Sequence, residues 1–313
     1  MPNNIDNNLT ENDIFIVGYG GWVKVDRYKQ GKHYENFQHD SETQIKKLAE
    51  RGTILQVTGA DVSRQTNLPT VTSYYLPYHE DKETNRQHVR SPMLLGKGTY
   101  TFSGNISFEL TYGALEQFIN DAFFKRDTIF TLSFFDGQNT CIVANCVWSN
   151  FQIQCSPNNL VTASITYQSN NGYVDDLQIF RNDADTEVMY DEEDLLVPYW
   201  TCGHEGFQEF TISFERPVTP VFLNGDLHVA SYLRPGLISV SLSATTIEYR
   251  FEEWEKELDI CLGTRPQRHG IKLLKSLLQS CQYSMSSMTD IGAKTYAWNS
   301  ISEESHEHIF EIY

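Results

Sequence analysis

The chain is short of cations: 24 Lys and Arg stand against 41 Asp and Glu in 313 residues, a formal charge of −17. Holding nucleic acid by its phosphates needs clustered Lys and Arg, so the charge balance argues against that mode of binding. A surface that lets nucleic acid pass without sticking is not excluded, because it would repel phosphate. No apolar run reaches the ~18 residues of a helical membrane crossing. The opening Met1-Pro-Asn-Asn-Ile-Asp6 has neither the basic start nor the apolar core of a secretory signal. The expectation is a protein without a membrane segment, made in a cytoplasm.

Catalytic signatures are missing as well. The sequence contains no G-x-S-x-G, no P-loop and no H-E-x-x-H, and Gly18-Tyr-Gly20-Gly21 has no following helix of the kind a dinucleotide site needs. The six cysteines (141, 146, 155, 202, 261 and 281) show no C-x-x-C spacing, which argues against a zinc ribbon or a redox pair. No enzymatic activity and no cofactor are expected. The nearest thing to a metal site is His306-Glu-His308, whose imidazoles would share one face of a strand, with Cys202 or His204 as a third ligand. Two such His are more commonly polar residues on an exposed edge.

What is present is β-structure. Hydrophobic residues make up 40% and aromatics 13%, which suits packed strands. From Thr99 to Tyr112 the chain alternates. Tyr100, Phe102, Ile106, Phe108, Leu110 and Tyr112 lie on one side; Thr99, Thr101, Ser103, Asn105, Ser107, Glu109 and Thr111 lie on the other. Period two held this long predicts a single strand of roughly 45 Å, with Gly104 marking a bulge or bend. The period then changes. Leu115, Phe118, Ile119 and Phe123 predict an amphipathic helix over 113–125 that packs on the sheet. Shorter strands are predicted over 128–135, 140–148, 151–155 and 160–168, while Asp61 to Pro69 reads as a loop. If 147–151 forms a hairpin, Cys146 and Cys155 become a possible cross-strand thiol pair; buried free thiols are the competing reading.

Acidic residues crowd 182–196, which reads as a linker between two β-modules. The organisation expected is therefore an N-terminal arm with a short helix (1–52), a first module (53–181), the linker, and a second module (197–313) with a helix near 270–281. Ile106-Ser-Phe-Glu109 reappears as Ile212-Ser-Phe-Glu215, and each half closes on a strand with a Ser/Thr face, which hints at duplication.

An ordinary solvent face carries Lys, Glu and Arg. Here it is Thr, Ser and Asn, suited to lying against another subunit or lining a wet lumen, since short hydroxyls offer hydrogen bonds without burying an ion.

The long strand in 98–111, the helix after it, the charged loop before it and the return strands beyond it resemble the tail-tube family of bacteriophages and the related domains of baseplate hub proteins. The resemblance covers roughly 53–170, with a fainter echo in 206–250. It implies a mainly-β fold with flanking helices, built as two tail-tube-like antiparallel barrel or sandwich modules. It also implies a virion structural protein that assembles with itself, as a trimer or hexamer ring, and with neighbouring tail or baseplate proteins, while DNA passes through unbound. Two readings compete with it. One is a carbohydrate-binding β-sandwich in which Trp148, Trp200 or Trp254 stacks on sugars. The other is a hydrolase using scattered carboxylates.

Overall fold

The computed structural model describes residues 14–17, 22–27, 53–67, 70–71, 93–94, 99–111, 114–115, 129–135, 140–157, 159–175, 202–203, 207–222, 232–246, 255–262, 269–284, 292–300 and 309–312. Alternation of apolar and polar residues makes nearly all of this strand. In chain order the strands are β1 (Ile14–Val17), β2 (Trp22–Arg27), β3 (Thr53–Gln56), β4 (Gly59–Asn67), β5 (Thr70–Val71), β6 (Met93–Leu94) and β7 (Thr99–Glu109). Then come β8 (Phe130–Phe135), β9 (Thr140–Cys155), β10 (Thr162–Ser169), β11 (Asn171–Asp175), β12 (Cys202–Gly203), β13 (Glu209–Glu215) and β14 (Val218–Val221). The last are β15 (Tyr232–Pro235), β16 (Ser239–Thr246), β17 (Glu255–Leu262), β18 (His269–Ser284), β19 (Ala293–Ser300) and β20 (Phe310–Ile312).

One antiparallel sheet runs β1-β4-β7-β10-β9-β13-β16-β19-β18-β17-β12; β8 and β11 also pair with β9, and β20 with β18. The fold is therefore mainly β. The path is open at both ends among the described residues, so the expected closed barrel is not found there.

Two strands of 16 residues, β9 and β18, turn the corners. The start of β9 pairs with β8 and β11, and its end with β10 and β13. Two bulges make this possible, because each adds a residue and bends the strand. At the first, Ala144 and Asn145 together face the gap between Phe130 and Leu132 of β8. Asn145 takes φ 55° there, a left-handed conformation that Asn tolerates, and its Nδ2 donates to Asn170 Oδ1 at 3.0 Å. At the second, Ser149 is the extra residue between Trp148↔Tyr167 and Asn150↔Thr166. The bend lays β8 over the buried side of β10, where Phe134 stacks on Tyr167 with centroids 6.0 Å apart.

Because β9 is one strand, the hairpin expected at 147–151 does not exist. Cys146 and Cys155 lie nine residues apart along the same strand, not opposite each other on paired strands. Both are buried, and neither is in a disulfide.

The helix expected near 270–281 is β18. Its bulges fall where those of β9 do: Leu274 and Lys275 face the gap between Lys256 and Leu258, and Gln279 is extra between Leu278↔Trp298 and Ser280↔Ala297. The core side of β18 is Ile271, Leu273 and Ser276, with Leu278 packed against the core, while Leu277 is exposed, so the spacing Ile271, Leu274, Leu277 and Leu278 does not mark one inward face. The helix expected over 113–125 lies mostly outside the described residues. The described residues do not show it: of this stretch they include only Ala114 and Leu115, whose N–H groups donate to Thr111 Oγ1 and Thr111 O, both at 3.3 Å. Strand β7 ends at Glu109. The loop expected at Asp61 to Pro69 is largely β4, whose two buried side chains, Ala60 and Val62, left too short a pattern to detect.

One strand order occurs twice. The succession β4 to β11 builds the main-sheet order β4-β7-β10-β9, and β13 to β20 builds β13-β16-β19-β18. The small pair β5·β6 has its counterpart in β14·β15. Thr58 N donates to Ser107 O at 2.8 Å and Gln208 N to Thr245 O at 2.8 Å, at equivalent places. The hint of duplication taken from Ile-Ser-Phe-Glu matched the wrong strands. β7 and β13 are separated by β10 and β9 in an antiparallel sheet and so run in opposite directions; the counterpart of β7 is β16, and that of β13 is β4.

The two units meet at β9·β13, with Ile153 opposite Ile212 and Phe151 opposite Phe214. The two Phe rings stack at 5.7 Å, and a single buried cluster runs from Val23 through this joint to Trp298. Arg216, itself buried, closes it. Its N–H donates to Ser149 O at 2.8 Å, its Nε and Nη2 to Trp148 O at 3.3 Å, and its guanidinium lies 4.1 Å from the Trp148 ring centroid. Carbonyls turned out of the ladder by the β9 bulge thus find donors in the other unit. Arg216→Ala is expected to destabilise the protein by about 2–3 kcal/mol, read as a lower urea midpoint in a single transition.

Candidate assembly face

Strand pairing lines the outward residues into rows. Ser107, Ser164, Gln152, Ser213, Ser241 and Asn299 lie side by side from β7 to β19. Asn105, Thr166, Asn150, Glu215 and Ser239 form the next row, and Glu109, Thr162, Gln154, Thr211 and Ser243 a third. The inward row beside them is Phe108, Ala163, Ile153, Ile212, Leu242 and Trp298, all buried. Outward positions from β4 to β19 contain Asp61, Glu109, Glu209 and Glu215 but neither Lys nor Arg among the described residues.

The residues expected to bear assembly fall on this face. Thr101, Ser103, Asn105, Ser107 and Glu109 are half-buried and alternate with buried Phe102, Gly104, Ile106 and Phe108. Thr99 begins β7, while Thr111 lies beyond its end and accepts from Ala114 N. The hydroxyls and amides bond along and across the strands: Asn105 Nδ2 donates to Ser107 Oγ at 3.0 Å within β7, Thr166 Oγ1 to Asn105 Oδ1 at 3.4 Å, and Ser63 Oγ to Ser103 O at 3.2 Å. Such pairs fix side-chain direction without placing a fixed charge on the face.

Gly104 has a different role from the bulge expected of it. The β4·β7 register is the same on either side of it, with Ala60 opposite Ile106 and Ser63 opposite Ser103. Between them the ladder opens. Tyr167, opposite Gly104, donates its hydroxyl to Asp61 O at 2.9 Å, and Asn105 N donates to Asp61 Oδ1 at 3.2 Å. A Cβ on Gly104 would run into the Asp61 carbonyl oxygen and the Tyr167 hydroxyl. Burial raises the Asp61 carboxyl above the ordinary 3.8, partly opposed by the Asn105 N–H. Burial likewise drives the Tyr167 hydroxyl and the Cys141 and Cys146 thiols well upward, so these groups stay protonated and the thiols are poor nucleophiles.

Among the packing residues expected for the helix, Leu115 is buried in the core; Phe118, Ile119 and Phe123 lie outside the described residues. So do His204, His306, His308 and the acidic stretch 182–196, as well as Trp200 and Trp254. Cys202 stands in β12 opposite Leu262. No cluster of metal-ligating side chains occurs among the described residues. Trp148 is buried beneath Arg216, so it offers no platform to a sugar. The rows across six strands escaped the sequence reading because lateral neighbours come from strands far apart in the chain; only the common Ser/Thr composition pointed to them.

Gly104→Ala is expected to cost on the order of 2 kcal/mol or more, and Tyr167→Phe about 1 kcal/mol, both measured by urea denaturation. A folded-state pKa above the unfolded one means that the contribution of Asp61 is fully present in acid and is lost as pH rises through the raised value. Asp61→Asn keeps an acceptor for Asn105 N and removes that loss. The variant is expected to be more stable than the parent at pH 7 and equal to it near pH 3, a difference that thermal melts across this range would read.

The sequence matches no protein-family model and no curated protein.

Proposed function

We propose that this chain is a structural subunit of a bacteriophage tail, in the tail tube or the baseplate hub, that assembles with itself into a ring around a DNA-conducting channel and performs no catalysis. The observation that carries the reading is the outward face of β4 to β19: hydroxyls, amides and carboxylates with no cation. Phosphate meets repulsion or neutral dipoles on such a surface, so a duplex would slide without being held.

The recurrence of one strand order supports the same reading. Each chain sets two like units side by side in one sheet, so three chains would supply the six units that the resemblance calls for. The units fall within 53–181 and 197–313, with 182–196 as the acidic connector. Symmetric closure would also remove sheet edges that otherwise invite uncontrolled pairing.

Electron microscopy of the purified protein, alone and with a tail-tip seed, tests this. Rings with a central opening are expected, and they should not retain duplex DNA. Ser164→Lys with Ser241→Lys, two cations on the face, should leave the rings intact and make them hold DNA in a salt-sensitive manner. Protein that stays monomeric with and without seed defeats the reading. Saturable glycan binding lost on Trp200→Ala would replace it with the carbohydrate-binding one.

A further inference from the structure

The duplicated strand order pairs each edge of one unit with an edge of the other, and the outcome is uneven. Within the chain, the end of β9 is covered by β13: Asn150 lies opposite Glu215, Gln152 opposite Ser213, and Gln154 opposite Thr211. The strand equivalent to β9 in the second unit is β18, placed by its two matching bulges. The segment of β18 that corresponds to Asn150–Gln154 is Ser280–Ser284. It pairs with β19 on one side. On the other side β17 stops at Leu277, and no described strand lies beyond Gln279–Gln282. Gln279 to Ser284 are exposed, with Tyr283 at 63%.

Exposed edges are ordinarily blunted by Lys, Pro or an inward charge. Gln279-Ser-Cys-Gln-Tyr-Ser284 has none of these. Its composition is that of a strand meant to be covered.

At the opposite end of the sheet the equivalent of β13 is β4, and its outer edge carries β1. The register is informative. β1 sets Ile14 opposite Ser63, Phe15 opposite Val62 and Ile16 opposite Asp61. β9 sets Gln152, Ile153 and Gln154 opposite Ser213, Ile212 and Thr211, the counterparts of those same residues. Strand β1 thus occupies, in register, the place that the end of a β9-like strand takes at the inner joint. It is short, four residues, where β9·β13 continues to Asn150↔Glu215 and on to the Arg216 contacts.

We propose that the outer edge of β18 is a docking edge for β4 of a second copy of this chain, and that β1 is a cap which the second copy displaces. Strand directions allow it: β18 runs as β9 does and β4 as β13 does, being four strands apart in an antiparallel sheet. The predicted pairing is that of the inner joint, with Gln282 of one copy opposite Ser63 of the next and Ser284 opposite Asp61. A capped β4 explains how a chain carrying both complementary edges could stay apart until assembly begins, because docking must first displace β1. The proposal rests on the reading that the chain assembles with itself, and adds which edges meet and what holds them back.

The test uses the full chain with Cys281→Ser, to remove the exposed thiol beside the edge. Ser63→Cys with Gln282→Cys, mildly oxidised under assembly conditions, is expected to give disulfide-linked dimers and longer chains that reductant returns to monomers. Neither single variant should do so. In a separate protein, Ile14→Cys with Ser63→Cys ties β1 to β4, and this should abolish association until reductant is added. If amine cross-linking captures multimers of the parent while the 63–282 link never forms, or if the tied protein associates as readily as the parent, copies meet elsewhere: the edge assignment falls and self-assembly stands. If no multimer forms with or without a seed, both fall.

Discussion

Everything in this molecule depends on how two long strands satisfy their backbone hydrogen bonds with different partners along their length. A strand of 16 residues cannot stay straight beside partners that lie over one another. β9 and β18 resolve the conflict with paired bulges, each of which gives up a ladder position to gain a change of direction. The carbonyls freed by the β9 bulge are then taken by Arg216 from the other unit. The bend and the inter-unit joint are therefore one feature: the residue that turns the strand also exposes the acceptors that hold the second unit.

Bending separates two surfaces with different chemistry. Inward rows of Phe, Ile, Leu and Trp join one core across both units, which supplies the hydrophobic term. Outward rows of Ser, Thr, Asn and Gln supply little burial energy and no strong electrostatics, and they hydrogen-bond mainly to each other and to the backbone. An outer surface of this kind is costly to ignore as a source of function. Solubility is better served by mixed charges, whereas this surface is dipolar and acid-edged over seven strands. The same restraint appears at Gly104, where the absence of a side chain lets Tyr167 reach across β7 to the Asp61 carbonyl.

Duplication places like edges at both ends of the sheet, and the chain treats them differently. One inner edge is joined, one outer edge is capped by a four-residue strand, and the other outer edge is bare among the described residues. Under the proposed self-assembly, edges that match the two halves of the internal joint would be the places where copies add, and the short β1 cap would be the obstacle to that addition.

The amino-acid sequence by itself determined the β class, the cation-poor polar faces and the inward apolar rows, because side-chain alternation is a local consequence of the pleat. Thr99–Glu109, Thr162–Ser169 and Ser239–Thr246 were legible for that reason. It could not determine which strand lies beside which, since register is set by partners a hundred residues away. So Ile-Ser-Phe-Glu was matched between β7 and β13, which run oppositely, and β18 read as a helix although Leu273 and Ser276 are buried and Leu277 is exposed. Only the tertiary structure decided that β9 is one bent strand with Cys146 and Cys155 both along it, that Gly104 makes room for a hydroxyl, and that the two units share a sheet. Those are properties of long-range hydrogen bonding and close packing, which no short window of sequence contains.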